Sequence, residues 1–150
     1  MGGEARRTRA EAGSIPRHPG GFAITLTGDP GEVPPVRVAT RALAEQHGFH
    51  DRASDLVLAL DELVANAQEH ASPPITVEGW YDGRLVLAIS DAGGGFDYHA
   101  VLREHPPVML GRRGRGLWIV RQVTDFVEVD AGSRGTTVRV ELNHEPHIGA

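Results

Sequence analysis

The residues best suited to chemistry lie in four short segments, and the first is a carboxylate beside an amide. Glu62 and Asn66 are four positions apart in a run with helical spacing, so they share one helix face. This pair suits a general base next to an oxygen ligand for a hard cation such as Mg²⁺. His70 extends the row by one turn. Taken alone, the row is more typical of a solvated helix face.

The second segment is a glycine-rich stretch that follows a β-rich run. Asp91 is followed by Gly93, Gly94 and Gly95. Glycines let the backbone approach a flat or bulky ligand, and the Asp91 carboxylate can accept a hydrogen bond from an exocyclic amine. A tight solvent-exposed turn is the simpler interpretation of this segment alone. A Rossmann dinucleotide site is disfavoured, because Tyr98 stands where that motif needs a glycine.

The third and fourth segments precede a short apolar run and the last predicted strand. Residues 111–116 read Gly-Arg-Arg-Gly-Arg-Gly. A glycine-rich loop that opens a helix presents backbone N–H groups to an anion, and arginines add charge-assisted contacts to phosphate. A nucleic-acid patch is a weaker interpretation in a chain of net charge −5. Residues 135–137 read Gly-Thr-Thr, which alone indicates only a turn that enters a strand.

The residue types that are missing exclude several classes of protein. Cysteine is absent, so disulfides, thiolate metal sites and cysteine nucleophiles are excluded. Lysine is absent as well, and all 15 basic residues are arginine. P-loop nucleotide sites, protein kinases with a strand lysine, and Schiff-base enzymes are excluded because each needs a lysine. A nucleotide site in this chain must therefore be built in another way.

Length and composition are those of one globular domain. The chain has 150 residues, of which 40% are hydrophobic and 23% are charged. Its net negative charge argues against binding of DNA or RNA through bulk positive charge. The longest apolar runs, 56–60 and 85–89, are five residues long, whereas a membrane helix needs about 20. We therefore expect a cytoplasmic protein that binds neither nucleic acid nor membrane.

The spacing of the apolar residues predicts eight elements between two flexible tails. The tails are residues 1–20 and 144–150, which leaves one domain over residues 21–143. Strands are predicted at 22–26, 75–81, 84–90, 126–129 and 136–142, and helices at 36–47, 54–71 and 117–123. Few helices and tight strand connections predict an α+β two-layer sandwich, with a mixed, mainly antiparallel sheet and helices on one face.

The order and spacing of the four segments are more specific than any one of them. Together they resemble the motifs of the GHKL ATPase superfamily, whose ATP-binding domain has the Bergerat fold. The four motifs are Glu-x-x-x-Asn on a helix, Asp-x-Gly-x-Gly after a hairpin, Gly-x-Gly before a short helix and Gly-Thr-Thr before the last strand. The resemblance extends from about residue 22 to residue 142. Within the superfamily, the chain is most similar to the stand-alone bacterial anti-sigma-factor serine-protein kinases. Two segments carry this similarity, Glu-Leu-Val-Ala-Asn-Ala and Gly-Arg-Gly-Leu-Trp-Ile-Val.

The resemblance implies an ATP–Mg²⁺ site and assigns a role to each motif residue. Glu62 matches the family's general base, and Asn66 matches its Mg²⁺ ligand. Asp91 matches the aspartate that reads adenine, with support from Thr136. The remaining implied site residues are Gly93 and Gly95 beside the adenine, Gly114 and Gly116 as backbone donors to the phosphates, and Arg112 toward the terminal phosphate. Residues 98–113 match the lid over the phosphates.

The same resemblance implies a function and its partners. It implies a kinase that transfers the γ-phosphoryl group of ATP to a serine of a STAS-type anti-anti-sigma protein, sequesters a sigma factor, and forms a homodimer. A non-catalytic ATP-binding interaction module of the same fold is the alternative, because binding and catalysis use the same residues. The catalytic half of a sensor histidine kinase is disfavoured, because only about 20 irregular residues precede the first predicted strand.

One position departs from the family pattern, and several histidines have no assigned role. Trp118 stands where many relatives have a third glycine, and we expect its ring to pack into the core beneath the nucleotide. The pairs His47/His50 and His144/His147 have a spacing typical of metal ligands, but the sequence offers no third ligand.

Overall fold

The computed structural model describes residues 17–70, 73–92, 111–132 and 135–144. These residues form five strands, three α-helices and two short 3-10 turns, at Pro30–Glu32 and His50–Arg52. In chain order the strands and α-helices are β1 (Phe22–Leu26), α1 (Val33–Gln46), α2 (Ala53–His70), β2 (Ile75–Tyr81), β3 (Leu85–Asp91), α3 (Gly111–Val123), β4 (Phe126–Gly132) and β5 (Gly135–Leu142).

The five strands form one sheet in the order β1-β2-β3-β5-β4. Each of its four pairings is antiparallel. The β2–β3 hairpin turns at Asp82 and Gly83, where the sequence predicts it, and Gly83 has a φ of +96°. The prediction of a mainly antiparallel sheet is confirmed. In β5, Thr136 pairs with Asp91 of β3, so the start of β5 and the end of β3 lie at the same end of the sheet.

The hydrophobic core lies between one face of the sheet and the helices. Alternate residues along each strand face the helices. The buried apolar side chains on this strand face include Val77, Leu87, Ile89, Val138 and Val140. They pack against Leu56, Leu60 and Leu63 of α2, with Leu117 and Val120 of α3 in the same cluster. The structure therefore confirms the two-layer α+β sandwich.

Helix α2 is the central helix of the core, since α1 and α3 both pack against it. Its buried face is wider than the sequence spacing predicts. Leu56, Ala59 and Leu63 are buried, whereas Val57, expected on the core stripe, is only partly buried. No helix in the described part of the chain is both long and apolar enough to span a bilayer.

Two helices begin three or more residues earlier than the sequence predicts. Helix α1 begins at Val33 rather than residue 36, because prolines are tolerated in the first turn, where their missing N–H groups have no helical partner. Helix α3 begins at Gly111 rather than residue 117. Glycine and arginine composition favours a loop here, but packing against α2 overrides that local preference. Residues 111–113, which the resemblance assigns to the lid, are therefore helical, as are residues 114–116, which the sequence predicts as a loop.

Residues near both predicted tails contact the sheet. Arg17 forms an ion pair with Glu78, with Nε 3.2 Å from a carboxylate oxygen, and the ring of His18 stacks on Trp80. At the other terminus, the Tyr81 hydroxyl and His144 Nε2 are 2.7 Å apart. The ordered contacts thus extend a few residues into both predicted tails.

Candidate functional site

The Glu62–Asn66 row lies on α2 beside the core-facing stripe. Asn66 is 4% exposed, and its Nδ2 atom is buried without a hydrogen-bond partner. Glu62 is partly buried. One helical turn separates the two residues, so both side chains project from the same face, as the sequence predicts. A buried amide with an unused polar atom next to a carboxylate is costly unless a further group binds there.

Helix α3 lies directly against this row at Gly116. A Cβ atom added to Gly116 would be 2.7 Å from Glu62 Oε1 and 3.6 Å from Asn66 Nδ2. The missing side chain therefore allows the backbone of α3 to approach the polar face of α2. Leu117 and Val120, buried in the core, hold the helix in this position. The structure thus brings together three of the predicted site residues.

A second group of predicted residues lies at the paired ends of β3 and β5. Asp91 and Thr136 are direct cross-strand partners, and Thr136 is 5% exposed. Gly135 precedes Thr136 with a φ of +136°, a conformation that favours glycine, and a Cβ added there would collide with the backbone oxygen of Asp91. Close approach of the two strands at Asp91 therefore depends on Gly135.

The two groups lie at the same end of the molecule. Helix α2 ends at His70, and β2 begins shortly afterwards at Ile75. Ile75 pairs with Asp91, which in turn pairs with Thr136. The carboxyl-terminal part of α2 therefore approaches the sheet end that carries Asp91 and Thr136. This arrangement agrees with one site formed by α2, α3 and the ends of β3 and β5.

Several predicted site residues fall wholly or partly outside the described structure. Gly93 and Gly95 lie outside the described residues, as do the lid positions up to residue 110. Arg112 is in the first turn of α3 and His70 is the last residue of α2, but the structure does not describe their side chains. Their roles stay predictions.

The helical conformation of residues 111–116 bears on the predicted phosphate donors. Gly114 and Gly116 are both residues of α3. Only about the first four N–H groups of a helix lack a partner within it, so the Gly116 amide is used inside the helix. In this structure Gly116 borders the Glu62 carboxylate and does not offer a free N–H group. Its contact with a phosphate stays a prediction.

Trp118 does not pack as the sequence predicts. Leu117 and Val120 of α3 are fully buried, whereas Trp118 is only partly buried and is not part of the core cluster. Trp118 lies about 100° around the helix from Leu117, so its side chain lies beside the core-facing side of α3 and not at its centre. The expectation that Trp118 packs into the core was therefore wrong, and its position relative to the nucleotide stays a prediction.

The donor set at Glu62 and Asn66 fits a bound Mg²⁺. Carboxylate and amide oxygens are the ligands that this cation takes from proteins. The Asn66 atom that lacks a partner is Nδ2, a hydrogen-bond donor, so it suits a phosphate or water oxygen, while the amide oxygen is the atom suited to the cation. The histidine pairs noted in the sequence do not form such a donor set in the described residues, where the ring of His47 stacks on Tyr81. Within the described residues, no cluster of three or more His, Asp or Glu side chains suits a metal.

One residue that shapes the candidate site, Gly135, is not indicated individually by the sequence. Gly135 was noted only as part of the Gly-Thr-Thr segment, yet its conformation sets the approach of β5 to Asp91. A glycine immediately before a β-branched pair is the available sequence signal, because it indicates a special backbone conformation at a strand entrance.

A cavity of about 520 Å³ lies elsewhere, between α1 and another face of α2, and its lining includes Pro30, Arg37 and Asp61 but neither Glu62 nor Asn66.

Comparison with known proteins identifies the family. Residues 26–142 match the family described as "Histidine kinase-like ATPase domain". The chain belongs to this family. Two relatives are named serine-protein kinase RsbW: that of Bacillus pumilus is 29% identical over 128 residues, and that of Bacillus licheniformis is 30% identical over 126 residues. Each alignment covers 73% of this chain and 78% of the relative.

Solved structures show the same histidine kinase-like ATPase fold. A crystal structure that contains the RsbU and RsbW domains of a protein from Mycobacterium tuberculosis matches this chain with a TM-score of 0.59 at 22% identity. The match covers 82% of this chain and 32% of the Mycobacterium tuberculosis chain. A histidine kinase domain from the blue-light activated histidine kinase of Erythrobacter litoralis gives a TM-score of 0.51 at 19% identity, covering 75% of this chain and 59% of that one. Membership of this family implies that the chain uses ATP.

Proposed function

We propose that this chain is an ATP–Mg²⁺-dependent protein serine kinase and anti-sigma factor. Its substrate would be a serine of a STAS-type anti-anti-sigma protein, and its second partner a sigma factor. The observation that carries the proposal is the juxtaposition of Glu62, the buried Asn66 amide and Gly116 on facing helices. The relatives named serine-protein kinase RsbW support the choice of serine as the phosphoryl acceptor.

Glu62 would act as the general base. The serine hydroxyl oxygen attacks the γ-phosphorus of ATP, the bond between that phosphorus and the β,γ-bridging oxygen breaks, and ADP leaves. The proton of the serine hydroxyl passes to the Glu62 carboxylate. A partly buried carboxylate that a glycine backbone borders is suited to this role, because neighbouring atoms restrict where the carboxylate can point.

Asn66 would hold the cation through its amide oxygen. When bound, Mg²⁺ neutralises phosphate charge and orients the nucleotide for in-line transfer. Because Asn66 is buried and fixed on a core helix, its amide needs little reorganisation to take this role. His70, at the end of the same helix, would contribute at most a phosphate contact.

Asp91 and Thr136 would select adenine. The Asp91 carboxylate would accept a hydrogen bond from the exocyclic amine, and the Thr136 hydroxyl would support that contact. Gly93 and Gly95 would border the base, while the Gly114 backbone and the Arg112 side chain would contact the phosphates. These assignments rest on the motif order and on the cross-strand pairing of Asp91 with Thr136.

The direct test is phosphoryl transfer from γ-³²P-labelled ATP. Purified protein is incubated with Mg²⁺ and, in turn, with each purified STAS-type protein encoded by the same organism. The proposal predicts label on one of them, with loss of the label when its acceptor serine is changed to alanine. Saturable ATP binding without transfer to any STAS protein would instead indicate the non-catalytic interaction module. A dimer would be tested separately, by sedimentation of the purified chain.

A further inference from the structure

Gly116 is close enough to Glu62 to control where the Glu62 carboxylate lies. A Cβ at Gly116 would be 2.7 Å from Oε1 of Glu62, well inside van der Waals contact, but 3.6 Å from Nδ2 of Asn66, which is an ordinary contact. Any side chain at position 116 would therefore displace the carboxylate and leave the amide in place.

The atom that must move is the tip of a flexible side chain. Glu62 can rotate away from an added methyl group without movement of either helix backbone. Alanine also forms helix better than glycine, and position 116 is in the interior of α3. Substitution of Gly116 by alanine is therefore expected to keep the fold intact and to change the carboxylate position selectively.

We infer that Gly116 is a positioning residue for the general base. Its lack of a side chain keeps the Glu62 carboxylate against the backbone of α3, directed at the space between the two helices. This role differs from donation of an N–H group to a phosphate, for which the Gly116 amide is not free within its helix. The inference rests on the proposed role of Glu62 in phosphoryl transfer.

The test compares Gly116→Ala with a matched glycine control. Gly132→Ala is the control, because a Cβ at Gly132 meets nothing within 4 Å. In the protein without nucleotide, NMR is expected to show a changed chemical shift for the Glu62 side-chain carboxyl carbon in Gly116→Ala and no change in Gly132→Ala. The unfolding temperature of Gly116→Ala is expected to equal or exceed that of the wild type.

Kinetics separate positioning from binding. For Gly116→Ala we expect kcat to fall at least about tenfold. A general base contributes about 10²- to 10⁴-fold to the rate, and a displaced carboxylate loses a part of that contribution. The affinity for ATP–Mg²⁺ is expected to change less than threefold. A second substitution, Glu62→Asp, shortens the carboxylate side chain by one methylene. The double variant is expected to have a higher kcat than Gly116→Ala alone, although Glu62→Asp lowers kcat in the wild-type background.

The outcomes distinguish this inference from the proposed function. An unchanged Glu62 carboxyl shift in Gly116→Ala would overturn the inference, as would equal losses of kcat, ATP affinity and thermal stability, which indicate a general packing role. If the wild type transfers no phosphoryl group, the proposed function fails. The NMR comparison would still decide whether Gly116 sets the carboxylate position.

Discussion

Asp91 and Thr136 are direct cross-strand partners at the end of the sheet that the carboxyl-terminal part of α2 approaches. The pairing brings together the buried Thr136 and the Asp91 carboxylate, which are 45 positions apart in the sequence. Gly135 allows this approach, because a side chain there would collide with the Asp91 backbone oxygen. The proposed adenine contacts depend on this pairing.

Replacing the Thr136 hydroxyl by a methyl group tests the adenine contact. Thr136→Val is expected to weaken ATP binding about tenfold, since the loss of a hydrogen bond in a buried site costs about 1–3 kcal/mol and about 1.4 kcal/mol corresponds to tenfold. Calorimetric titration with ATP measures the effect. Thr137→Val is the matched control, because the Thr137 hydroxyl lies 2.9 Å from the Ser90 hydroxyl on the opposite face of the sheet. Equal losses in both variants would count against the proposed role of Thr136.

Removing the charge of the proposed base tests catalysis. Glu62→Gln keeps the shape of the side chain but cannot accept the serine proton, so phosphoryl transfer is expected to fall by about 10²-fold or more while ATP binding persists. Single-turnover transfer and ATP titration give the two values. Glu45→Gln, on the exposed face of α1, is the control. Transfer at the wild-type rate in Glu62→Gln would refute the assignment of the base.

The stability of the fold is expected to depend on the charge of Asp125. Burial raises the pKa of this carboxyl. The backbone N–H of Asn143 and the Arg52 guanidinium, whose Nη1 lies 2.8 Å from Asp125 Oδ2, stabilise the charged form. These two contacts outweigh burial, so the pKa lies below its ordinary value of 3.8. The resulting stabilisation is present above that ordinary value and is lost as the pH falls through the folded-state pKa.

Asp125→Asn tests this linkage by urea unfolding at several pH values. The variant is expected to be less stable than the wild type at pH 7, and the difference is expected to shrink as the pH falls below about 4. Asp51→Asn, at an exposed aspartate, is the control. A stability difference that stays constant from pH 7 to pH 3 would contradict the account.

Truncation of the α2 core face is expected to destabilise the fold strongly. Leu60 is fully buried, whereas Leu58 on the same helix is 39% exposed. Leu60→Ala should lower the free energy of unfolding by about 2–5 kcal/mol because it leaves a cavity, and Leu58→Ala should cost far less. Urea denaturation measures both. Similar losses at the two positions would show that α2 does not face the core as described.

The sheet could be predicted from sequence because its signals are local. The β2–β3 hairpin follows from two β-rich runs joined by Asp82 and Gly83, and its first strand has the predicted bounds, Ile75–Tyr81. The order of the four motif segments then predicted the family, which the match over residues 26–142 confirms. Local turn chemistry and motif order carry this information without knowledge of distant contacts.

The start of α3 and the packing of Trp118 could not be predicted in the same way. Glycines and arginines at 111–116 have no helical apolar pattern, and the helix forms there through contact with α2. The apolar run around Trp118 does not reveal which of its residues face inward, because the helix phase is set by the buried Leu117 and Val120. Both features depend on tertiary packing.

Calorimetric titration of ATP tests most directly whether α2 carries an ATP–Mg²⁺ site. The wild type, Asn66→Ala and Gln68→Ala are titrated in MgCl₂ and in EDTA, with Gln68, exposed on another face of α2, as the control position. We expect saturable binding that needs Mg²⁺, persists in Gln68→Ala and is lost in Asn66→Ala. Binding by Asn66→Ala with the same affinity and Mg²⁺ dependence as the wild type would contradict it.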